Sequence, residues 1–189
     1  MTEIIRSGRK LVICTVNFDE LLETAASGAC EVFATDDDFE RAPDHLMQYL
    51  AGSDSKVPLW KLHGTISNLE SCVASDDQTL LGLSDHKREA LEALISSGDA
   101  RRPAPWMYVG ASMRDSDLTP IWARPDFAAI VREYWVMPFS VDSVRDFVDL
   151  YRAEAWRQQR TRSFDQRLVT ETADTFLKLL AGAFAEPAG

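Results

Sequence analysis

Short apolar runs alternate with helical patterns along this chain. Residues 11–16, LVICTV, form a continuous, partly β-branched run of strand length, which predicts a buried strand. The following segment, NFDELLETAASG, predicts a helix with acids in its first turn, where the helix dipole favours them, and Gly28 at its C-terminal end. ACEVFAT, PLWKLHG, PWMYVGAS and YWVMPFS predict further strands, with Gly64 stopping the second of these and Gly110 ending the third. Between them, residues 84–97 carry Leu91, Leu94 and Ile95 at helical spacing, and residues 115–131 predict a helix interrupted by Pro120 and Pro125. Two helices close the chain. One carries Val141, Val144, Phe147, Val148 and Tyr151; the other starts at the capping-box pattern SFDQ, residues 163–166, and buries Val169, Ala173, Phe176, Leu177 and Leu180.

Strands that alternate with helices imply parallel pairing through right-handed crossovers. The expected fold is therefore α/β: a Rossmann-like, doubly wound, mostly parallel sheet with helices on both faces. A chain of 189 residues with 46% hydrophobic content is enough for one domain with a real core, here residues 1–189. GSDSKVP and SGDARRPAP read as surface loops.

Charge and cysteine usage narrow the classes. A net charge of −10 argues against nucleic acid as a direct partner, since a phosphate backbone is bound by clustered Lys and Arg. The basic residues at Arg101-Arg102 and within 157–162 are local and read as a solvated face. No apolar run approaches the roughly 20 residues needed to span a bilayer, and the first ten residues contain no secretory apolar region. Cys14, Cys30 and Cys72 are odd in number and form no CxxC, which supports neither a disulfide framework nor a structural zinc. The expectation is a cytoplasmic domain that needs no metal.

In an open α/β sheet, ligands bind at the carboxyl ends of the strands. Three polar clusters fall there: Thr15, Asn17 and Asp19; His63-Gly64; and Gly110-Ala-Ser112 with Asp115 and Asp117 downstream. Each also has a plain structural reading. Asn17 or Asp19 suits a helix cap, a lone His at a strand end is commonly structural, and Asp115 and Asp117 suit a first helical turn.

In this combination and order the chain resembles the sirtuin-like NAD-consuming domains, bacterial relatives of the sirtuins found mainly in antiphage defence proteins. TVNFD looks like that family's T-x-N-[FYI]-D segment, KLHG like its catalytic His-Gly, and YVGASMRDSDL like its later Gly-x-Ser segment with a downstream acid. The closing TADTFLKLL is similar to the family's last helix. The resemblance runs from about residue 11 to residue 180. It implies that Asn17 holds the nicotinamide ribose and the attacking water, that Asp19 orients the nicotinamide end beside Thr15, and that His63, followed by Gly64, is the general base. It also implies that Gly110 allows close backbone approach and that Ser112, with Asp115 nearby, binds the adenosine ribose or a phosphate. The implied activity is NAD+ hydrolysis, with NAD as substrate and no metal, in antiphage defence by NAD depletion. The implied partners are NAD or ADP-ribose and either a second copy of the chain or a partner defence protein.

Two departures qualify the resemblance. True sirtuins carry Gln where this chain has Val16, together with a zinc module of paired CxxC motifs; both differences point from protein deacylation towards hydrolysis of NAD itself. The family also begins with a strand and a Gly-rich turn that holds the pyrophosphate, whereas the ten residues before the first predicted strand contain only Gly8. The domain is accordingly expected to be N-terminally incomplete. Loss of that turn removes several phosphate hydrogen bonds of about 1.5–3 kcal/mol each. NAD+ glycohydrolase activity is thus expected of the complete domain. The competing reading is a catalytically impaired NAD- or ADP-ribose-binding module, or an oligomerisation module of a larger defence protein with Trp122, Trp135 or Trp156 as interface anchors. A Rossmann dehydrogenase fares poorly, because GxGxxG is absent.

Overall fold

The computed structural model of the protein describes residues 2–98, 103–110, 117–122, 130–136, 138 and 168–185. The chain divides into two compact units, Met1–Leu94 with Lys178–Gly189, and Ile95–Leu177.

In the first unit, β1 (Ile13–Thr15), β2 (Cys30–Phe33) and β3 (Val57–Lys61) form a parallel sheet in the order β1-β3-β2. The chain leaves β1 through α2 (Leu21–Ala26), builds β2 one place away, and returns through α3 (Asp36–Glu40) and α4 (Ala42–Ala51) to insert β3 between them. That insertion buries every residue of β3. Val57 and Leu59 join Ile5, Ala26, Cys30 and Tyr49 in one apolar cluster. Trp60, on the alternate face of the strand, meets the edge of Phe39 at a centroid distance of 6.1 Å. Fully burying one such Leu or Phe contributes about 1.5–3 kcal/mol, so β3 is the energetic centre of the unit.

A proline inside a central strand normally breaks the ladder. Here the amide of Val57 donates to Ala29 on the β2 side and that of Leu62 donates to Thr15 on the β1 side. Donors alternate along a parallel strand, so the donorless nitrogen of Pro58 faces β1. Pairing with β1 begins only at Ile13↔Leu59, one residue later, and no ladder bond is lost.

The predicted helix after β1 starts later than its first acids suggest. The amide of Asn17 is taken by Thr15 Oγ1 and that of Leu21 by Asp19 Oδ1, two side-chain turns that hold residues 17–20 outside the helix. The chain before β1 also forms a helix, α1 (Thr2–Arg6), which buries Ile4 and Ile5. Residues 36–51, which carry no sequence prediction, fold as α3 and α4. α3 opens with a reciprocal capping box between Thr35 and Asp38. Beyond β3 come α5 (Asp76–Leu80) and α6 (Asp85–Ser96), the latter matching the pattern of Leu91 and Ile95, both buried.

In the second unit, β4 (Ala104–Val109), β5 (Val131–Val136) and β6 (Leu168–Val169) form another parallel sheet in the order β4-β5-β6. Tyr108 on β4 stacks on Trp135 of β5 at 4.1 Å and donates its hydroxyl to Glu133 at 2.7 Å. Trp135 is only 3% exposed and belongs to the core rather than to a surface anchor. Of the helix expected over 115–131, α7 (Thr119–Trp122) and Ile130 are described as helical, and Val131 begins a strand instead. Val169, expected in the closing helix, lies in β6. The helix itself, α8 (Ala173–Ala185), starts after Thr172, whose hydroxyl accepts the amide of Thr175. The helix expected through residues 141–151, the capping pattern at 163–166 expected to open the closing helix, and Trp156 lie outside the described residues. Parallel strands joined through helices give the α/β, Rossmann-like class anticipated from the sequence.

The α3 capping box yields a stability prediction. Burial alone would raise the Asp38 carboxyl, but hydrogen bonds from the Thr35 and Ala34 backbone, the Arg41 guanidinium and the Thr35 hydroxyl outweigh it and hold the group below its ordinary value. A carboxylate depressed in this way stabilises the fold above its unfolded pKa of about 3.9, and that stability is lost as pH falls through the lower folded value. Thr35→Ala is expected to lower the unfolding free energy at pH 7 by about 1 kcal/mol in urea titration. The difference from the parent should shrink as pH falls below about 4.

Candidate functional site

The site in the first unit is assembled by the pairing of β1 with β3. Thr15 aligns with Lys61, and the ladder continues past the strand end, because the Leu62 amide donates to Thr15 O at 2.9 Å. The loop carrying Asn17 and Asp19 and the turn carrying His63 and Gly64 therefore leave neighbouring strands at the same carboxyl edge. Ile66 ties the two loops again by donating its amide to Phe18 O at 2.9 Å.

Within this edge the residues differ in exposure. Asn17 is exposed, and its side chain makes no hydrogen bond among the described residues. Asp19 is exposed but occupied in part, holding the amide of Leu21 at 3.1 Å. Thr15 is half-buried, its hydroxyl turned to the Asn17 amide at 3.1 Å. His63 is 5% exposed, and its carbonyl accepts the Val73 amide at 2.9 Å. The chain after His63 thus folds back beside it.

Gly64 shows why a glycine must follow the histidine. Its φ is +89°, and a Cβ there would lie 2.1 Å from the carbonyl oxygen of Ser71. Ser71, in the short 3-10 turn Leu69–Ser71, accepts the Thr65 amide at 3.1 Å and donates its hydroxyl to Asn68 O at 2.6 Å. Close packing of this turn against the backbone, rather than open space for a ligand, fixes the identity of residue 64.

Sequence reasoning did not single out Lys61, the most connected polar residue of the edge. It has no exposed surface, yet its ammonium bonds Glu23 Oε1 at 2.6 Å, Thr65 Oγ1 at 3.1 Å, Phe18 O at 3.3 Å and also Asp19 O. The signal was present: a lone Lys inside the apolar run VPLWKLH of a buried strand must be paired. Ser71 gave no such signal, since nothing local marks a serine that will meet a distant glycine.

Cys14, on β1 beneath this edge, is half-buried as a residue, yet burial around its thiol pushes the group up to about 12. Cys30 is raised too, first by burial and then by the charge of Glu23.

In the second unit Gly110 directly follows β4, exposed, with φ +65° and its amide donating to Val136 O at 3.3 Å. Its left-handed backbone, not crowding, calls for glycine, since a Cβ would meet nothing within 4 Å. Asp117 is buried at 4% exposure. Ser112 and Asp115 lie outside the described residues.

Polar loops on adjacent carboxyl ends of a parallel α/β sheet are the arrangement of nucleotide-binding proteins. The chain belongs to the SIR2-like domain family, whose model matches residues 11–163, and it is a NAD-related, sirtuin-like domain. No match was found among curated proteins or solved structures. Among the described residues no cluster of three or more His, Cys, Asp or Glu side chains is arranged to hold a metal ion, and no helix is long and apolar enough to cross a membrane.

Two outcomes are expected from this geometry. Gly64→Ala combines a left-handed φ with a backbone clash and should lower the unfolding free energy by more than about 2 kcal/mol, read as a fall in the urea midpoint. Native-state alkylation with iodoacetamide at pH 8 should modify Cys14 at least about 100-fold more slowly than in denaturant, because the thiolate is the reactive form.

Proposed function

We propose that this SIR2-like domain is an NAD+ hydrolase that cleaves the bond between nicotinamide and ribose. What supports the reading is the β1–β3 pairing, which sets the Asn17 loop and the His63 turn on neighbouring strand ends in the order that family membership leads one to expect. Asn17, exposed and with its amide group available, holds the ribose and the attacking water. His63 takes a proton from a ribose hydroxyl or from that water. As the glycosidic bond breaks, its electron pair leaves with nicotinamide, which departs neutral, and the sugar acquires oxocarbenium character. Water adds to the sugar carbon and loses its proton, giving ADP-ribose. Such a step needs positioning and one base more than a strong nucleophile. Enclosure of His63 suits this role, because hydrogen bonds to a shielded base are stronger than those in bulk water.

The carboxylates of Asp19 and Glu20 lie on the same loop and favour positive charge on a bound sugar. Thr15 and Gly64 line the nicotinamide end in this proposal. Gly110, Ser112 and Asp115 serve the adenosine ribose or phosphates. In a cell the activity would deplete NAD as the effector of an antiphage defence protein in the cytoplasm, assembled with further copies or a partner defence protein.

The test is incubation of the full chain with NAD, with nicotinamide and ADP-ribose followed by chromatography. The two products should appear in equal amounts, and His63→Ala and Asn17→Ala should each lower kcat by about 10²–10⁴-fold. Unchanged turnover in His63→Ala would remove its role as base. Calorimetric binding of NAD with no nicotinamide released would replace the enzyme reading with that of a nucleotide-binding module.

A further inference from the structure

Lys61 spans the two loops that the proposed reaction needs, and its surroundings exceed what a structural ion pair requires. A buried ammonium paired only with Glu23 would satisfy charge balance. Instead three N–H donors serve four acceptors on three segments: Phe18 O and Asp19 O in the loop after β1, Glu23 Oε1 in α2, and Thr65 Oγ1 in the turn after β3. The two carbonyls immediately follow Asn17, and Thr65 lies two residues beyond His63. Val57, Leu59 and Lys61 share one face of β3 by strand alternation, so the side chain runs under the β1–α2 loop on the side where α2 packs. A methionine or leucine at this position would fill the strand without the desolvation cost of an ion.

We infer that Lys61 is a positioning residue: its buried ammonium holds the Asn17 loop in register with the His63 turn. This rests on the hydrolase reading for its catalytic consequence, but not for its structural one. Phe18 O, already bonded by the Ile66 amide at 2.9 Å, receives Lys61 as a second donor, so backbone and side chain clamp the same peptide group. Removing the ammonium takes away the shortest side-chain bonds between the loops beyond the end of the ladder and leaves the Ile66 amide bond and the longer Thr65 Oγ1 bond to Glu20 Oε1 at 3.4 Å. The loop then moves relative to His63, and a misplacement of about 1 Å lowers turnover by about 100-fold.

Lys61→Met alone leaves the half-buried Glu23 carboxylate without its cation and is prone to unfold. The informative variant is therefore Lys61→Met/Glu23→Gln, in which neither charge remains. Hydrogen exchange read by mass spectrometry should show residues 16–20 exchanging at least about tenfold faster than in the parent, while β3 and α4 keep their protection. Unchanged exchange at 16–20 in the folded variant overturns the clamp, and this measurement stands whether or not the chain hydrolyses NAD. With NAD, kcat per folded molecule should fall by about 100-fold. Retention of kcat within about threefold reduces Lys61 to a structural residue. Absence of nicotinamide release from the parent chain would sink the hydrolase reading alone, leaving the exchange result to decide on the clamp. Glu23→Gln with Lys61 intact separates the two roles: it should keep slow exchange at 16–20 and most of kcat, and fast exchange there would assign the ordering to Glu23 instead.

Discussion

Strand β3 has to be covered on both faces, and that constraint organises the first unit. Inserted between β1 and β2, it has a sheet neighbour on each side and helices over its alternating side chains. An apolar residue meets this demand by packing. A lysine cannot, because an ammonium taken out of water needs anions and carbonyls around it, at an effective penalty of several kcal/mol if they are missing. Those partners are supplied by Glu23 of α2 and by the residues just past the ends of β1 and β3. A requirement of the core thus becomes a requirement on the loops, and the loops that answer it are the ones bearing Asn17 and His63.

Pro58 illustrates the same economy of position. In a central strand its missing donor would leave a neighbour's carbonyl unpaired and cost about 1–3 kcal/mol. The stagger between β1 and β3 avoids this, because pairing starts one residue later. The short β1 is thus matched to the proline, and the ladder is complete where it matters, from Leu59 to Leu62, immediately before the histidine.

Elements whose burial pattern is simple were legible in the sequence. β1, β2, β3 and β4 appear as short apolar runs, and α6 as an amphipathic repeat, because period and length reflect burial directly. What escaped prediction depends on contacts between distant residues. α3 and α4 are the exception, because Phe39, Ala42, Leu46 and Tyr49 recur at helical spacing and are all buried, so the sequence carries their signal. Val169 fits a helical repeat but pairs as a strand with Val136, and Val131 pairs with Ala104. In both cases tertiary pairing overrides local spacing. At the site, the clustering of Thr15, Asn17 and Asp19 with His63 follows from parallel topology alone and was readable. The fit of Gly64 against Ser71 and the fourfold engagement of Lys61 required coordinates.

The Asn17–Asp19 pair also resolves into separate tasks. Two residues apart at a strand-to-helix junction, either suits capping, and neither proves to be the residue at the cap position, which is Glu20. Asp19 performs the capping task from one place earlier, holding the Leu21 amide, while the Asn17 amide bonds back to Thr15. The backbone of the loop is therefore fixed by Thr15, Asp19 and Lys61, none of which calls on the Asn17 side chain. A carboxamide held on a rigid backbone and left uncommitted is what a ligand-binding residue requires, since its donors and acceptor remain available while its position costs little entropy to maintain. Helix initiation leaves the Asn17 side chain uncommitted: the residues that start α2 are the ones that steady its backbone.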